Sequence, residues 1–209
     1  MADADPPRRR TRLAPEVRRN LILEEAARIV LEEGVSAVSM ERLGRAAGVS
    51  KALVYNYFPN RNALLSALLL GEYGRFRETG RRLIGTARDF PTLVRATTRA
   101  YLDHVAERGL LIQRLANEPA VAASIRPVDA AGRSETADFF GRRIAERYGL
   151  PLDQATMAAD ILMGLTGAAG DYLVRNGRSA DDIEELTVRM ILAALDGIAP
   201  GPIADRDNP

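Results

Sequence analysis

"SMERLGRAAGVSKALVYNYFPNR", Ser39 to Arg61, sets two short apolar patterns on either side of a glycine and closes on an aromatic run. Ser39 is placed to cap a short helix whose inner side carries Met40, Leu43, Ala46 and Ala47. Gly48 permits the positive φ that a tight turn needs. Ser50 caps a second short helix, which Pro59 stops by forcing its predecessor out of the α region. Two short helices joined at Ala47-Gly48-Val49 make a helix-turn-helix, the second helix having the size to enter a major groove.

In that second helix, Val49 and Val54 are expected to point inward, leaving Lys51, Ala52, Leu53 and Tyr55 outside, with Asn56 beside them. Lys51 can donate to a guanine edge or a phosphate, and Ala52 and Leu53 suit thymine methyls. Tyr55 and Tyr57 carry hydroxyls at the reach of phosphate oxygens, whereas Phe58 belongs in the core. Arg61 opens the following helix, where the macrodipole disfavours a cation, so a phosphate partner would rationalise it.

Outward from this stretch, the pattern is helical throughout. Pro15 precedes a helix over Glu16 to Glu33 with Ile22, Ala26, Ile29 and Val30 on one face, and Gly34 ends it. A fourth helix starts near Arg61, carries Leu64, Leu65, Leu68 and Leu69, and ends between Gly71 and Gly85. Pro91 opens a helix to about Arg108, a shorter one covers Leu110 to Asn117, and Pro119 and Pro127 frame a loop. Helices follow over Ala130 to Tyr148 and Leu152 to Arg175, the latter stopped by Asn176-Gly177. Ser179 and Asp182 resemble a capping box before a last helix through Ile183, Leu186, Met190, Ile191 and Leu195. The expectation is an all-α chain of about nine helices: a basic arm over 1–15, a helix-turn-helix domain over 16–61, a larger helical domain over 62–198 entered through a connecting helix at about 61–80, and a disordered tail over 199–209.

Composition agrees, with 46% hydrophobic residues, no cysteine and one histidine among 209 residues. Disulfides and thiolate metal sites are excluded, and a zinc cluster is not expected. No cofactor is implied. No stretch has membrane-spanning length, and no apolar segment follows the N-terminal arginines as in a secretory signal, so the chain is expected to be cytoplasmic. Residues 8–61 hold eleven Lys/Arg against six Asp/Glu, a net +5, whereas residues 62–209 are at −2. A basic end on a mildly acidic body suits contact with a polyanion through that end.

The run Asn20, Ala26-Ala27, Gly34-Val35, Ser39-Met40, Leu43, Ala46-Ala47-Gly48-Val49-Ser50, Tyr55, Tyr57-Phe58, Asn60-Arg61 and Ala63-Leu64-Leu65 resembles the DNA-binding domain of the TetR family of bacterial transcriptional regulators. Three positions depart from the usual pattern: Ala52 stands where glycine is commoner, Ser39 where threonine is, and Arg61 where lysine is. The resemblance implies an all-α homodimer on double-stranded DNA with a palindromic operator, most often a repressor, and a C-terminal domain that binds a small, largely hydrophobic effector. The DNA-contact candidates are Ser39, Ser50, Lys51, Ala52, Leu53, Tyr55, Asn56, Tyr57 and Arg61, with Arg8, Arg9, Arg10 and Arg12 as an arm able to touch phosphates or a minor groove.

The resemblance further implies dimerisation through the last two helices. Ile161, Gly164, Leu165 and Ala168 with Leu186, Met190, Ala193 and Ala194 supply an apolar, small-residue face for it, Gly167 and Gly170 adding room for close approach. The same face could instead pack within one subunit. Effector candidates are Tyr101, His104, Arg114, Asn117 and Asp160, polar groups placed among apolar helices. Asp103 beside His104 is no catalytic pair, because adjacent helical positions do not face each other. No nucleophile–base motif, phosphate loop or metal-ligand spacing points to an enzyme. The alternative is an architectural or scaffold DNA-binding protein that needs no effector.

Overall fold

A computed structural model describes residues 14–199. Among these the chain is all-α, with eight α-helices and one 3-10 turn. It forms two compact units, one through Leu68 and one from Leu69, dividing within a continuous helix rather than at residues 61–62. The arginine arm at Arg8, Arg9, Arg10 and Arg12, and the tail from residue 200, lie outside the described residues.

The first unit contains α1 (Pro15–Glu33), the 3-10 turn (Val35–Ala37), α2 (Met40–Ala46), α3 (Lys51–Tyr57) and the start of α4 (Arg61–Ile84). Pro15 sits in the first turn of α1, and Gly34 ends it at φ 91°. Ile22, Ala26, Ile29 and Val30 are fully buried, with Leu43, Val54, Phe58, Leu64 and Leu65 completing a closed apolar core. Met40 and Leu43 face inward as expected, but Ala46 is exposed and Ala47 half-buried, their places in α2 being taken by the buried Gly44.

The second unit holds the rest of α4 with α5 (Phe90–Ala116), α6 (Pro119–Tyr148), α7 (Leu152–Asn176) and α8 (Ala180–Ile198). Asp89 caps α5, accepting from Thr92 N at 2.8 Å, and Ser179 caps α8, accepting from Asp181 N at 3.2 Å. Two sequence expectations are corrected here. Residues 90–116 are one helix, not two: Gly109 lies where a Cβ would be 3.3 Å from Val105 and 3.4 Å from Val174, and the fully buried Leu111 and Leu115 carry the helix past it. Residues 119–129 are helical too, with Pro127 inside α6, because Val121 and Ile125 bury themselves one turn apart ahead of the proline. Burial of those two side chains, at about 1.5–3 kcal/mol each, competes with the roughly 3 kcal/mol that an interior proline costs.

Candidate nucleic-acid interface and ligand cavity

Within the first unit, α2 and α3 are fixed by their ends. Ser39 Oγ accepts from Arg42 N and Ser50 Oγ from Leu53 N, each at 3.2 Å. Both serines are thus caps, the role their positions predicted. Gly48 takes φ 65°, the left-handed conformation expected of the turn. The turn also depends on Gly44, which the sequence reading passed over. A Cβ there would lie 2.9 Å from the Val49 carbonyl oxygen and 3.2 Å from Lys51 N, so α2 must be bare where the chain returns over it. A glycine in the middle of a seven-residue helix was the available signal.

Between these caps α3 presents Lys51, Ala52, Tyr55 and Asn56 on one exposed face. Tyr55 keeps 45% of its surface exposed. Leu53 and Tyr57 are half-buried and so only partly on that face, and Val49 is half-buried rather than a core residue. Val54 and Phe58 are buried, with the Arg19 guanidinium 5.2 Å from the Phe58 ring centroid.

Arg61 departs from the expectation of a phosphate contact. Its Nε donates to the Val38 carbonyl at 3.1 Å and an Nη to the Val35 carbonyl at 2.7 Å, tying the 3-10 turn to the start of α4. That internal role accounts for a cation at a helix N-terminus. The cap itself is Asn60, whose Oδ1 accepts from Ala63 N at 2.8 Å.

The second unit is hollow. A cavity of about 720 Å³ is lined by α4 to α8, within the range of drug-sized ligand sites. Val94, Val105, Ile112, Phe140, Ile144, Leu162, Met163 and Leu195 contribute its apolar wall. Of the five effector candidates it gathers Tyr101 and His104. Arg114 and Asn117 lie outside its lining, Asn117 ending α5, and Asp160 acts only from behind by pairing with the lining residue Arg133 at 2.6 Å. Those three follow the polarity of their residue types, but the helix faces carrying them turn elsewhere.

Phe76, absent from the candidates, stacks on His104 with centroids 5.5 Å apart and meets Tyr101 edge-on at 5.6 Å. Burial lowers the His104 pKa from its ordinary value, so the ring is neutral at pH 7. Burial, with the charge of Asp171 added, raises that of Tyr101. Behind this wall Glu72 is fully buried and accepts from both Arg75 and Arg108, the Arg108 bonds being 3.1 Å and 2.6 Å. Burial pushes this carboxyl upward, but the two guanidiniums outweigh it and hold the group below the usual carboxylate range.

On the outer side of α7 and α8, Met157, Ile161, Gly164 and Ala168 are exposed at helical spacing, as are Leu186, Met190, Ala193 and Ala194. Leu165 belongs elsewhere: it packs against the inner cluster around Val188 and Ile191. Gly170 is also turned inward, a Cβ there falling 2.7 Å from the Tyr101 ring, so the close approach it permits is to a side chain of the same subunit. Among the described residues, no helix is long and apolar enough to cross a membrane and no group of His, Cys, Asp and Glu could hold a metal.

A capped helix-turn-helix with an exposed α3, carried by a chain whose other unit is a hollow helical bundle, is the architecture of a DNA-binding transcriptional regulator. Residues 22–68 match the family described as bacterial regulatory proteins, tetR family. The chain is 26% identical over 179 residues to the HTH-type transcriptional activator FasR of Mycolicibacterium smegmatis, covering 83% of this chain and 80% of that one. Over 62 residues, 30% of each chain, it is 37% identical to the HTH-type transcriptional regulator BetI of Rhizobium meliloti. The crystal structure of a transcriptional regulator from Pseudomonas aeruginosa PAO1 superposes with a TM-score of 0.73 at 23% identity, covering 91% of this chain and 94% of that one. Residues 22–68 thus carry the segment shared by bacterial regulatory proteins of the tetR family, and likeness to a transcriptional regulator continues over most of the remaining chain.

Proposed function

We propose that this protein is a cytoplasmic homodimeric repressor that binds a palindromic operator and is released from it by a small, largely apolar effector. The observation that carries the reading is the 720 Å³ cavity in the second unit, which an architectural or scaffold protein would not need. Lys51, Ala52, Tyr55 and Asn56 read the bases and phosphates, with Leu53 and Tyr57 at the edge of the contact and the helix caps Ser39 and Ser50 positioning α3. The arginine arm adds phosphate contacts and steepens the salt dependence.

The exposed face of α7 and α8 supports the dimer, because apolar side chains at helical spacing on two adjacent helices suit a four-helix interface with the partner's copies. Two recognition helices then meet successive major grooves about 34 Å apart. The effector acts by population shift, favouring a dimer geometry that misses this spacing, with coupling of about 1–3 kcal/mol. Helix α4 is continuous from Arg61 to the cavity residues Tyr73 and Phe76, which supports it as the element that carries the shift.

The test is selection of bound fragments from genomic DNA, followed by titration of the best site. Wild type is expected to yield one palindrome, and the Lys51→Ala, Tyr55→Ala double variant to lose about 100-fold in affinity for it. An Ile161→Glu variant should sediment as a monomer and lose the site as well. Equal binding of all fragments by wild type and double variant would overturn the reading. A reporter downstream of the site decides the sign of regulation, a live question because the similar FasR is named an activator; a reporter that falls when the gene is deleted would replace repression with activation.

A further inference from the structure

Resting on the ligand-cavity reading above, the polar groups of the cavity divide into two sets. The charged lining residues Asp129, Arg133, Asp171 and Arg175 are exposed, and Arg77 is half-buried, so charge is concentrated on the solvent side and is mixed in sign. Deeper in, the wall is mostly apolar and aromatic; Thr97, Thr136 and Thr166 there donate to carbonyls of their own helices, and among the polar groups His104 stands apart. Its Nε2 is the one buried side-chain nitrogen or oxygen among the described residues that has no hydrogen-bond partner. Buried polar atoms in folded proteins are almost always paired, so an orphan at a cavity wall is an open valence for a ligand.

The chemistry of that ligand follows from what surrounds the ring. Glu72 already holds a negative charge near His104, and the guanidiniums of Arg75 and Arg108 are engaged with it. A second carboxylate beside the imidazole would be repelled by Glu72 and would find those cations already engaged. Glu107 stands on the same helix as a further negative charge, and Asp171 on α7 reaches Tyr101. A cationic head would instead meet Arg75 and Arg108. A neutral hydroxyl avoids both penalties and serves either imidazole tautomer, donating to a bare Nε2 or accepting from Nε2–H.

We infer that the cavity takes a neutral, predominantly apolar molecule bearing a hydroxyl group, and that this hydroxyl pairs with Nε2 of His104. Nε2 is shielded from solvent, so the ligand reaches it by turning the ring of Phe76, which stacks on the imidazole. His104 is a specificity-determining residue in this arrangement, and the aliphatic walls supply most of the affinity.

Three probes with one apolar body separate the possibilities: 4-octylphenol, its methyl ether 4-octylanisole, and 4-octylbenzoate. Binding is measured by calorimetry on the full chain with any affinity tag removed. The phenol is expected to bind about tenfold more tightly than the anisole, a preference that His104→Leu abolishes, and more tightly than the benzoate, which Glu72 repels in both proteins. Because the chain has one histidine, ¹⁵N-histidine labelling gives an independent reading on wild-type protein. The Nε2 resonance should move on adding the phenol while the ring stays neutral. Tighter binding of the benzoate with a protonated ring would overturn the inference, as would a preference for the phenol over the anisole that survives His104→Leu with Nε2 unmoved. In those two cases the cavity reading stands, whereas failure of all three probes to bind wild type would remove the cavity reading together with this one.

Discussion

The two units treat polar groups in opposite ways. In the first, the interior is closed and apolar, and the proposed DNA-contact side chains Lys51, Tyr55 and Asn56 stand on the outside of α3. In the second, an orphaned imidazole and a tyrosine line a cavity, with a buried carboxylate behind them. A closed core fixes the geometry of a surface, which suits a helix that must match a groove of fixed width. A hollow interior with unsatisfied polarity leaves free energy to be gained by a ligand, which suits a unit that must change state.

Three measurements would break or sharpen this contrast, all read by hydrogen exchange, which reports each unit separately. The largest effect is expected from Glu72→Gln. It deprives Arg75 and Arg108 of their shared carboxylate, and both guanidiniums keep some access to water, so the cost falls below that of a wholly buried pair, at about 2–3 kcal/mol. Protection should drop in α4 and α5 beyond residue 69 and stay unchanged in α1 to α3. Uniform loss across both units would mean that they unfold as one block.

Next comes Gly44→Ala, where a methyl would press on the Val49 carbonyl, a backbone atom that cannot swing aside. Overpacking outweighs the helix-propensity gain of alanine, for a net loss of about 1–2 kcal/mol confined to the first unit, with weakened DNA binding. Unchanged protection at residues 40–57 would show that the turn is looser than its contacts suggest.

The smallest effect is a pH dependence. The folded-state pKa values of His104 and Glu72 both lie below their ordinary 6.5 and 4.5. A depressed pKa means that the stabilising contribution is complete above the ordinary value and is lost as pH falls through the folded one. Acidification from about pH 7 to about pH 5 should therefore loosen the second unit through His104 first, and His104→Leu should flatten that limb. An identical profile in the variant would remove His104 as the cause.

What the sequence revealed divides along the same line. Ser39, Gly48, Ser50 and Val54 were legible because capping, a positive φ and a buried valine are decided within a few residues of chain. Arg61 was misread because its partners, the Val35 and Val38 carbonyls, lie more than twenty residues away. Pro127 and Gly109 suggested breaks that tertiary burial overrode. In the second unit the cavity is assembled from five helices, so single positions gave little warning. Tyr101 and His104 were found as polar residues on an apolar helix, whereas Phe76 and Glu72 gain their meaning only from what stands across from them.

The exposed apolar stripe on α7 and α8 has a consequence for how much of the protein a cell should make. Under the proposed dimeric binding to a palindrome, operator occupancy rises with the square of chain concentration while monomer prevails. Small changes in expression then produce large changes in occupancy. Below that threshold the uncovered stripe is also a site for stray association, so dosage sets solubility and regulatory steepness together.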